Sequence, residues 1–326
     1  MKGLELAKEY YNFYGKSMIH EKFPEFENRI AVGLVGHGSE CYGFDDSISQ
    51  DHDFGPAFCM WLTEEDYEKI GSALAFEYEQ LPKDYAGFTG RVQSTHGGGR
   101  VGVFSISSFY YSLIGVDSIP KNNKEWVWIP ESRLAVATNG EVFRDDYGMF
   151  SKIREGLLQF YPEDVRIKKI VARAAAMAQS GQYNYARSMR RMETVTAHVA
   201  LSEFVKNTAS MVFLLNKKYM PFYKWMHKGI FELDILWEIA PMLTTLCEQM
   251  NQKHVWSMES STENPYEINL MDKNVEMIET ICGLVVEELN RQGISSLSDR
   301  FLENHTGHMM EKISDIDMKR LQILEG

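Results

Sequence analysis

The sequence predicts an α+β fold, in which a small mixed sheet flanked by helices is followed by an all-α-helical part. Short apolar runs alternate with helical patterns in the first half of the chain. In the second half, apolar residues recur every three or four positions and no strand pattern is evident. A chain of 326 residues is long enough for two domains, which we place at 1–149 and 150–326.

The first half is predicted to contain three strands and two helices. Thr63 is a good N-cap, and the acidic residues after it favour the positive end of a helix dipole. The predicted elements are a helix at 2–19, a buried strand at 29–36, a strand at 54–62 that Gly55–Pro56 interrupts, a helix from Thr63 to about Gln80, and a strand at 100–106.

The second half is predicted to be helical throughout. The acidic Pro162–Glu163–Asp164 segment begins the first long helix, and Gly181 breaks it. The predicted helices are 162–180, 183–217, 229–251, 266–291 and 308–324.

Composition and charge exclude several classes of protein. The formal net charge of −12 argues against coating of nucleic acid in bulk, because that task needs a basic surface. No stretch approaches the roughly 20 apolar residues of a membrane-spanning helix, and the first residues lack the apolar core of a secretory signal. The four cysteines are scattered without zinc spacing. We therefore expect a cytoplasmic protein with reduced thiols and no membrane partner.

The segment 36–56, GHGSECYGFDDSISQDHDFGP, is the stretch in which chemistry is expected. A predicted strand runs into Gly36, and Gly38–Ser39 then form a sharp turn. Glycine lets the backbone approach an anion closely, and a serine hydroxyl with neighbouring amides can donate to phosphate oxygens. This pattern predicts a phosphate-binding turn at Gly38 and Ser39.

Asp51 and Asp53 follow twelve and fourteen residues after Ser39. On an extended segment, side chains two residues apart point to the same face, so the two carboxylates would converge. Carboxylates beside a triphosphate form a common type of magnesium site, in which phosphate oxygens and waters complete the coordination. The spacing therefore predicts that Asp51 and Asp53 bind Mg²⁺ or Mn²⁺ next to ATP or another NTP.

The combination of strand, Gly-Ser, about a dozen residues, Asp-x-Asp and strand resembles the signature of the DNA-polymerase-β-like nucleotidyltransferase superfamily. More closely, HGSECYGFDDSISQDHDFGP resembles the segment that defines a bacterial family known as domain of unknown function 4037, or DUF4037. The later segments ATNGEVFRDDYG, QSGQYNYAR and LLNKKYMPFYKW are also similar to that family.

This resemblance implies a nucleotidyltransferase-like first domain and a helical second domain that completes the cleft. Gly38 and Ser39 match the phosphate-binding turn, and Asp51 and Asp53 match the catalytic metal pair. The implied reaction moves a nucleoside monophosphate from an NTP to a hydroxyl or similar acceptor on a small molecule or a protein.

One departure from the superfamily pattern concerns a third carboxylate on a later strand. The candidate strand at 100–106 contains no acidic residue, and Gly102 stands where the acid is expected. Asp45 and Asp46, in the loop before Asp51, are candidate bases, although solvation or capping is an equally good interpretation. A binding or sensing module that kept the fold and lost the reaction is therefore the alternative.

Three residues of the second half are candidate nucleotide ligands. Lys224 follows a long helix among aromatic residues, a combination that suits a triphosphate and a base ring, although such a turn is also common after a helix. Tyr185 and Arg187 in QYNYAR are weaker candidates of the same kind. An RNA-end-modifying enzyme is a third hypothesis, which the acidic balance disfavours.

Overall fold

The structure is a computed structural model that describes residues 1–50, 53–91, 99–249, 253–256 and 268–326. The chain forms two compact units. The first comprises Met1–Pro120 and Ile129–Phe160, and the second comprises Lys121–Trp128 and Tyr161–Gly326. The division differs from the predicted one at 149/150, because the helix Met149–Leu158 packs in the first unit and residues 121–128 pack in the second.

A four-stranded mixed sheet forms the centre of the first unit. Its strands are β1 (Ala31–Leu34), β2 (Cys59–Leu62), β3 (Gly102–Ser105) and β4 (Glu141–Arg144), in the order β3-β2-β1-β4. β1 pairs antiparallel with both β2 and β4, whereas β2 pairs parallel with β3. The predicted small mixed sheet is therefore confirmed.

Among the described residues, helices alternate with strands only in the first unit. Described α-helices are α1 (Gly3–Tyr10), α2 (Lys16–Lys22), α3 (Glu64–Glu79), α4 (Ile106–Ile114), α5 (Asn123–Trp128), α6 (Glu131–Thr138), α7 (Met149–Leu158), α8 (Glu163–Met177), α9 (Ala186–Arg190), α10 (Thr194–Leu215), α11 (Tyr223–Ile230), α12 (Ile239–Glu248), α13 (Lys273–Arg291), α14 (Glu303–Glu311) and α15 (Ile316–Arg320). A π-helical turn, Tyr11–Gly15, joins α1 to α2, and another, Ala178–Tyr185, joins α8 to α9.

Both faces of the sheet are covered, because all four residues of β1 and of β2 are buried. On one face, Met60 and Leu62 belong to an apolar cluster with residues of α1, α2 and α3. On the other face, the Trp61 ring stacks on Phe150 of α7 at 3.9 Å and meets Phe109 of α4 edge-on at 5.3 Å. Successive strand residues point to opposite faces, which explains this division.

The structure corrects several predicted elements. β2 begins at Cys59 rather than at residue 54, and β4 was not predicted at all. The predicted long helix at 183–217 is interrupted after Arg190, where Met192 has a positive φ of 59°. By contrast, Thr63 caps α3 as predicted, since its hydroxyl accepts a hydrogen bond from the Asp66 amide.

Among its described residues, the second unit contains helices and connecting turns but no β-strand. Its core includes apolar residues of α8 and α10, which are buried along most of their length. Across the described parts of the chain, we find no helix that is long and apolar enough to cross a membrane.

Candidate functional site

The strand directions bring four chain segments to one edge of the sheet. Cys59, the first residue of β2, pairs with Gly33 near the end of β1 and with Gly102 at the start of β3. Glu141, the first residue of β4, pairs with Leu34 at the end of β1. The segments after β1 and before β2, β3 and β4 therefore meet at this edge.

The first segment is the GHGS turn, residues 36–39, which leaves β1 after Val35. Gly36 and Gly38 have φ angles of 129° and 134°, a backbone region that residues with a side chain rarely adopt. Ser39 opens the 3₁₀ turn Glu40–Tyr42, which Gly43 ends with a φ of 69°. The predicted sharp turn at Gly38–Ser39 is thus present, and its shape depends on glycine.

The segment before β4 holds the beginning of the GHGS turn. The Asn139 side chain accepts a hydrogen bond from the Gly36 amide at 2.9 Å and donates to the Gly36 carbonyl at 2.8 Å. The Gly140 amide donates to the Cys41 carbonyl at 2.7 Å. Arg154 of α7 donates to the carbonyls of Asn139 and Gly140, at 2.9 and 3.1 Å. The turn is therefore fixed by residues about 100 positions later in the sequence.

Asp53 lies in the segment before β2. It is 8% exposed, and its φ of 63° is left-handed. The prediction that Asp53 lies on an extended strand is therefore wrong. The chain between Asp53 and Cys59 contains Gly55, with a φ of 144°, and Pro56, so strand geometry begins only afterwards. Asp51 and His52 lie outside the described residues.

Arg100 connects Asp53 to the GHGS turn. Its Nη1 lies 3.2 Å from Asp53 Oδ2, and its carbonyl accepts a hydrogen bond from the Cys59 thiol at 3.4 Å. Arg100 also lines a cavity of about 330 Å³ together with Gly36 and His37. The other residues that line the cavity are Val35, Gly99, Phe104, Phe109, Ser112 and Leu113.

Arg100 and His37 are the two cavity-lining residues with basic side chains. His37 is exposed, but neighbouring groups still desolvate its ring in part, and this desolvation lowers its pKa. The nearby charges of Arg100 and Arg133 lower the pKa further. His37 is therefore mainly neutral at pH 7. The guanidinium groups of Arg100 and Arg133, a neutral imidazole and the amides of a glycine turn are groups that can attract an anion, while the Asp53 carboxylate offsets part of the Arg100 charge.

The two candidate bases have other contacts. Asp45 is buried, and its Oδ2 accepts a hydrogen bond from the Gly3 amide at the start of α1, at 2.9 Å. Asp46 is exposed, and its Oδ1 accepts hydrogen bonds from the amides of Ile48 and Ser49 at 3.0 Å. These contacts correspond to the capping interpretation, and the role of base stays a prediction for both residues.

The described residues contain no group of three histidine, cysteine or acidic side chains that could hold a metal. Gly102, at the position where a third carboxylate was expected, has a φ of 120°. A Cβ at this position would meet no atom within 4 Å, so the backbone conformation rather than lack of space favours glycine there.

Tyr185 lies in the core of the second unit. Its ring is fully buried, and its hydroxyl hydrogen-bonds to Asp272 at 3.2 Å and accepts from Asn274 at 2.8 Å. Asp272 also accepts a hydrogen bond from the Trp256 indole at 2.7 Å. A buried ring offers no face to a nucleotide base, so the structure gives no support to the predicted role of Tyr185.

Arg187 and Lys224 also belong to the second unit. The Arg187 guanidinium lies over the Tyr183 ring at 4.6 Å and donates a hydrogen bond to the hydroxyl of that tyrosine. Lys224 is exposed on α11, beside the exposed rings of Phe222 and Tyr223. Nucleotide binding by Arg187 and Lys224 stays a prediction.

A comparison with known families finds a match for part of the chain. Residues 126–226 match the family described as domain of unknown function (DUF4037). The match supports the resemblance to DUF4037, and it includes the segment with Asn139 and Arg154 as well as QYNYAR and NKKYMPFYKW. The GHGS turn and Asp53 precede the matched residues. No curated protein and no solved structure matches the chain.

Two residues of this site were missed by the sequence analysis, namely Arg100 and Asn139. Arg100 carries a signal in hindsight, because it is the first residue of the predicted strand at 100–106, on which a third carboxylate was expected. Asn139 lies next to a glycine in a segment that resembles DUF4037, but no local pattern connects it to Gly36, which is 103 positions away.

Proposed function

We propose that this chain is a magnesium-dependent nucleotidyltransferase. It moves a nucleoside monophosphate from ATP or another NTP to a hydroxyl or similar acceptor on a small molecule or a protein. The observation that carries the proposal is the position of Arg100, which contacts the Asp53 carboxylate at 3.2 Å and lines a cavity with Gly36 and His37. A phosphate-binding turn and a candidate metal ligand therefore border the same site.

The turn and the cations serve to hold the triphosphate. Backbone amides at Gly38 and Ser39 donate to phosphate oxygens, and the positive φ angles of Gly36 and Gly38 set the shape of the turn that presents these amides. Arg100 and Arg133 add positive charge near His37, which lines the cavity. Placing charge before the reaction begins is the main way in which phosphoryl-transfer sites lower the barrier.

Asp53 suits magnesium by its chemistry, because Mg²⁺ prefers hard carboxylate oxygens and keeps phosphate oxygens as further ligands. Asp51 is the second proposed ligand and lies outside the described residues. When bound, the ion would neutralise charge on the triphosphate. Without the ion, the 3.2 Å contact with Arg100 compensates the negative charge of Asp53, so the buried carboxylate is not an isolated charge.

In the proposed reaction, the acceptor oxygen attacks the α-phosphorus. A new P–O bond forms, the bond from the α-phosphorus to the bridging oxygen breaks, and pyrophosphate leaves with the bonding electrons. The acceptor proton passes to a base, for which Asp46 is the more accessible of the two candidates. The turn would hold the triphosphate so that the leaving bridging oxygen lies in line with the attacking acceptor oxygen. This alignment would supply much of the acceleration.

A second function is favoured by the backbone at Gly102. Since its φ of 120° disfavours any residue with a side chain, the third carboxylate of active superfamily members is missing from this strand. This observation favours a nucleotide-binding or sensing module without transfer.

Substitution of Asp53 distinguishes these functions. Asparagine tolerates the left-handed φ of 63° and keeps the size of the side chain, so Asp53→Asn removes the charge alone. We expect transfer of label from α-³²P-ATP to fall by at least ~100-fold. The thermal unfolding midpoint is expected to change little, because the Arg100 side chain, which loses its charged partner, is 30% exposed and can be hydrated instead.

Asp117→Asn is the matched control, since Asp117 is exposed in the same unit, and it should keep full activity. Full activity of Asp53→Asn would end the proposal. If the wild-type protein binds Mg–ATP in calorimetry but releases no pyrophosphate with a broad panel of acceptors, the sensing module is the better description.

A further inference from the structure

A buried ion pair lies beside the GHGS turn, outside the residues that line the cavity. Glu40 Oε1 and Arg91 Nη2 are 2.8 Å apart, and the two side chains are only 5% and 7% exposed. The residues are 51 positions apart in the sequence, so the pair joins two separate segments of the first unit.

On one side, the pair touches the turn itself. A Cβ built on Gly38 would lie 2.6 Å from the carboxyl carbon of Glu40, far inside any allowed contact. A Cβ on Gly3 of α1 would lie equally close to Glu40 Cβ, at 2.6 Å. The Glu40 side chain is thus packed between the GHGS turn and α1.

On the other side, the pair touches the segment that carries Asp53. A Cβ on Gly55 would lie 2.7 Å from the Thr89 carbonyl oxygen and 2.9 Å from the Arg91 amide nitrogen. Gly55 is two residues after Asp53 and has a φ of 144°. The backbone of Arg91 therefore packs directly on the Asp53–Gly55 segment, while its guanidinium holds Glu40.

We propose that Glu40 and Arg91 are positioning residues that hold the GHGS turn and the Asp53–Gly55 segment at the separation that a triphosphate requires. This inference rests on the proposed function. A charge-assisted hydrogen bond between two enclosed side chains is short and directional, so it fixes the distance between the segments that it joins. Neither residue needs to touch the nucleotide for this role.

The test measures binding of ATP and of AMP, each with MgCl₂, by calorimetry at a temperature where every variant is folded. Glu40→Gln keeps the size of the side chain and removes its charge. We expect Glu40→Gln to weaken ATP binding by about tenfold or more and AMP binding by less than about twofold, because the turn is proposed to hold the triphosphate tail. Glu65→Gln is the matched control, since it removes an exposed ion pair, with Lys69 at 2.6 Å, in the same unit.

Glu40→Asp and Arg91→Lys provide second variants, in which the charge remains but the reach or the planar fork is lost. Both should show the same selective loss for ATP. If wild-type protein binds ATP and Glu40→Gln binds it equally well, the positioning role is overturned while the proposed function stands. Equal weakening of ATP and AMP would indicate a merely structural role and would also overturn it. If wild-type protein binds neither nucleotide, the proposed function fails, and the inference fails with it.

Discussion

At the scale of single residues, His37 is the titratable group best placed to report on a bound anion. Desolvation and the charges of Arg100 and Arg133 lower its pKa below the ordinary value of 6.5, so the ligand-free imidazole is mainly neutral near pH 6.5 and above. An anion bound in the cavity that His37 lines would reverse part of this shift, because negative charge favours the protonated ring.

We therefore predict that ATP binding at about pH 6.5 is accompanied by proton uptake at His37. Calorimetry in buffers of different ionisation enthalpy measures the number of protons taken up. His37→Asn should take up fewer protons than the wild-type protein, and the difference between the two removes the contribution of ATP itself. Equal uptake by both proteins would show that the anion does not bind near His37.

At the scale of elements, the junction between α6 and β4 supports the functional edge of the sheet. Asn139 replaces strand pairing for Gly36 by binding both its amide and its carbonyl, and Arg154 holds the backbone of the same junction. β4 continues from this junction along β1. The GHGS turn is thus supported by residues just before β4, a strand that the sequence patterns did not predict.

Asn139→Ala should lower the free energy of unfolding by about 1–3 kcal/mol, because it leaves the buried Gly36 amide without a partner. Urea denaturation measures this change. Asn12→Ala, at an exposed position of the same unit, should stay within about 0.5 kcal/mol of wild type. A loss for Asn139→Ala no larger than for Asn12→Ala would contradict the supporting role.

The elements also show which parts of the fold a sequence can predict. β1 was predicted because its apolar run is rich in β-branched residues and ends in glycine, and α3 because Thr63 is a local cap. β4 is short and only half-buried along its length, so it carries little apolar periodicity, and its pairing with β1 joins residues far apart in the sequence.

In the candidate site, residue types such as Gly38 and Asp53 were predictable, but the left-handed backbone of Asp53 and its contact with Arg100 depend on the folded chain.

At the scale of the whole molecule, the question is whether the helical unit contributes to nucleotide binding. Lys224 is the exposed cation that was predicted to do so. If it contacts the triphosphate, Lys224→Ala should weaken ATP binding about fivefold, the effect expected when one charged hydrogen bond to phosphate is lost. Lys206→Ala, which removes an exposed lysine of α10 in the same unit, should leave the affinity unchanged. Equal affinities for the two variants would show that Lys224 does not contribute to ATP binding.

The glycine that begins β3 also bears on attempts to redesign this chain. Installing an aspartate at Gly102 would require the backbone there to leave its φ of 120°, although the space for the carboxylate exists. A single Gly102→Asp substitution would therefore supply the acid but distort the backbone at the start of β3. A designer who wants a third carboxylate should first select changes that let β3 begin in ordinary extended geometry, and only then add the acid.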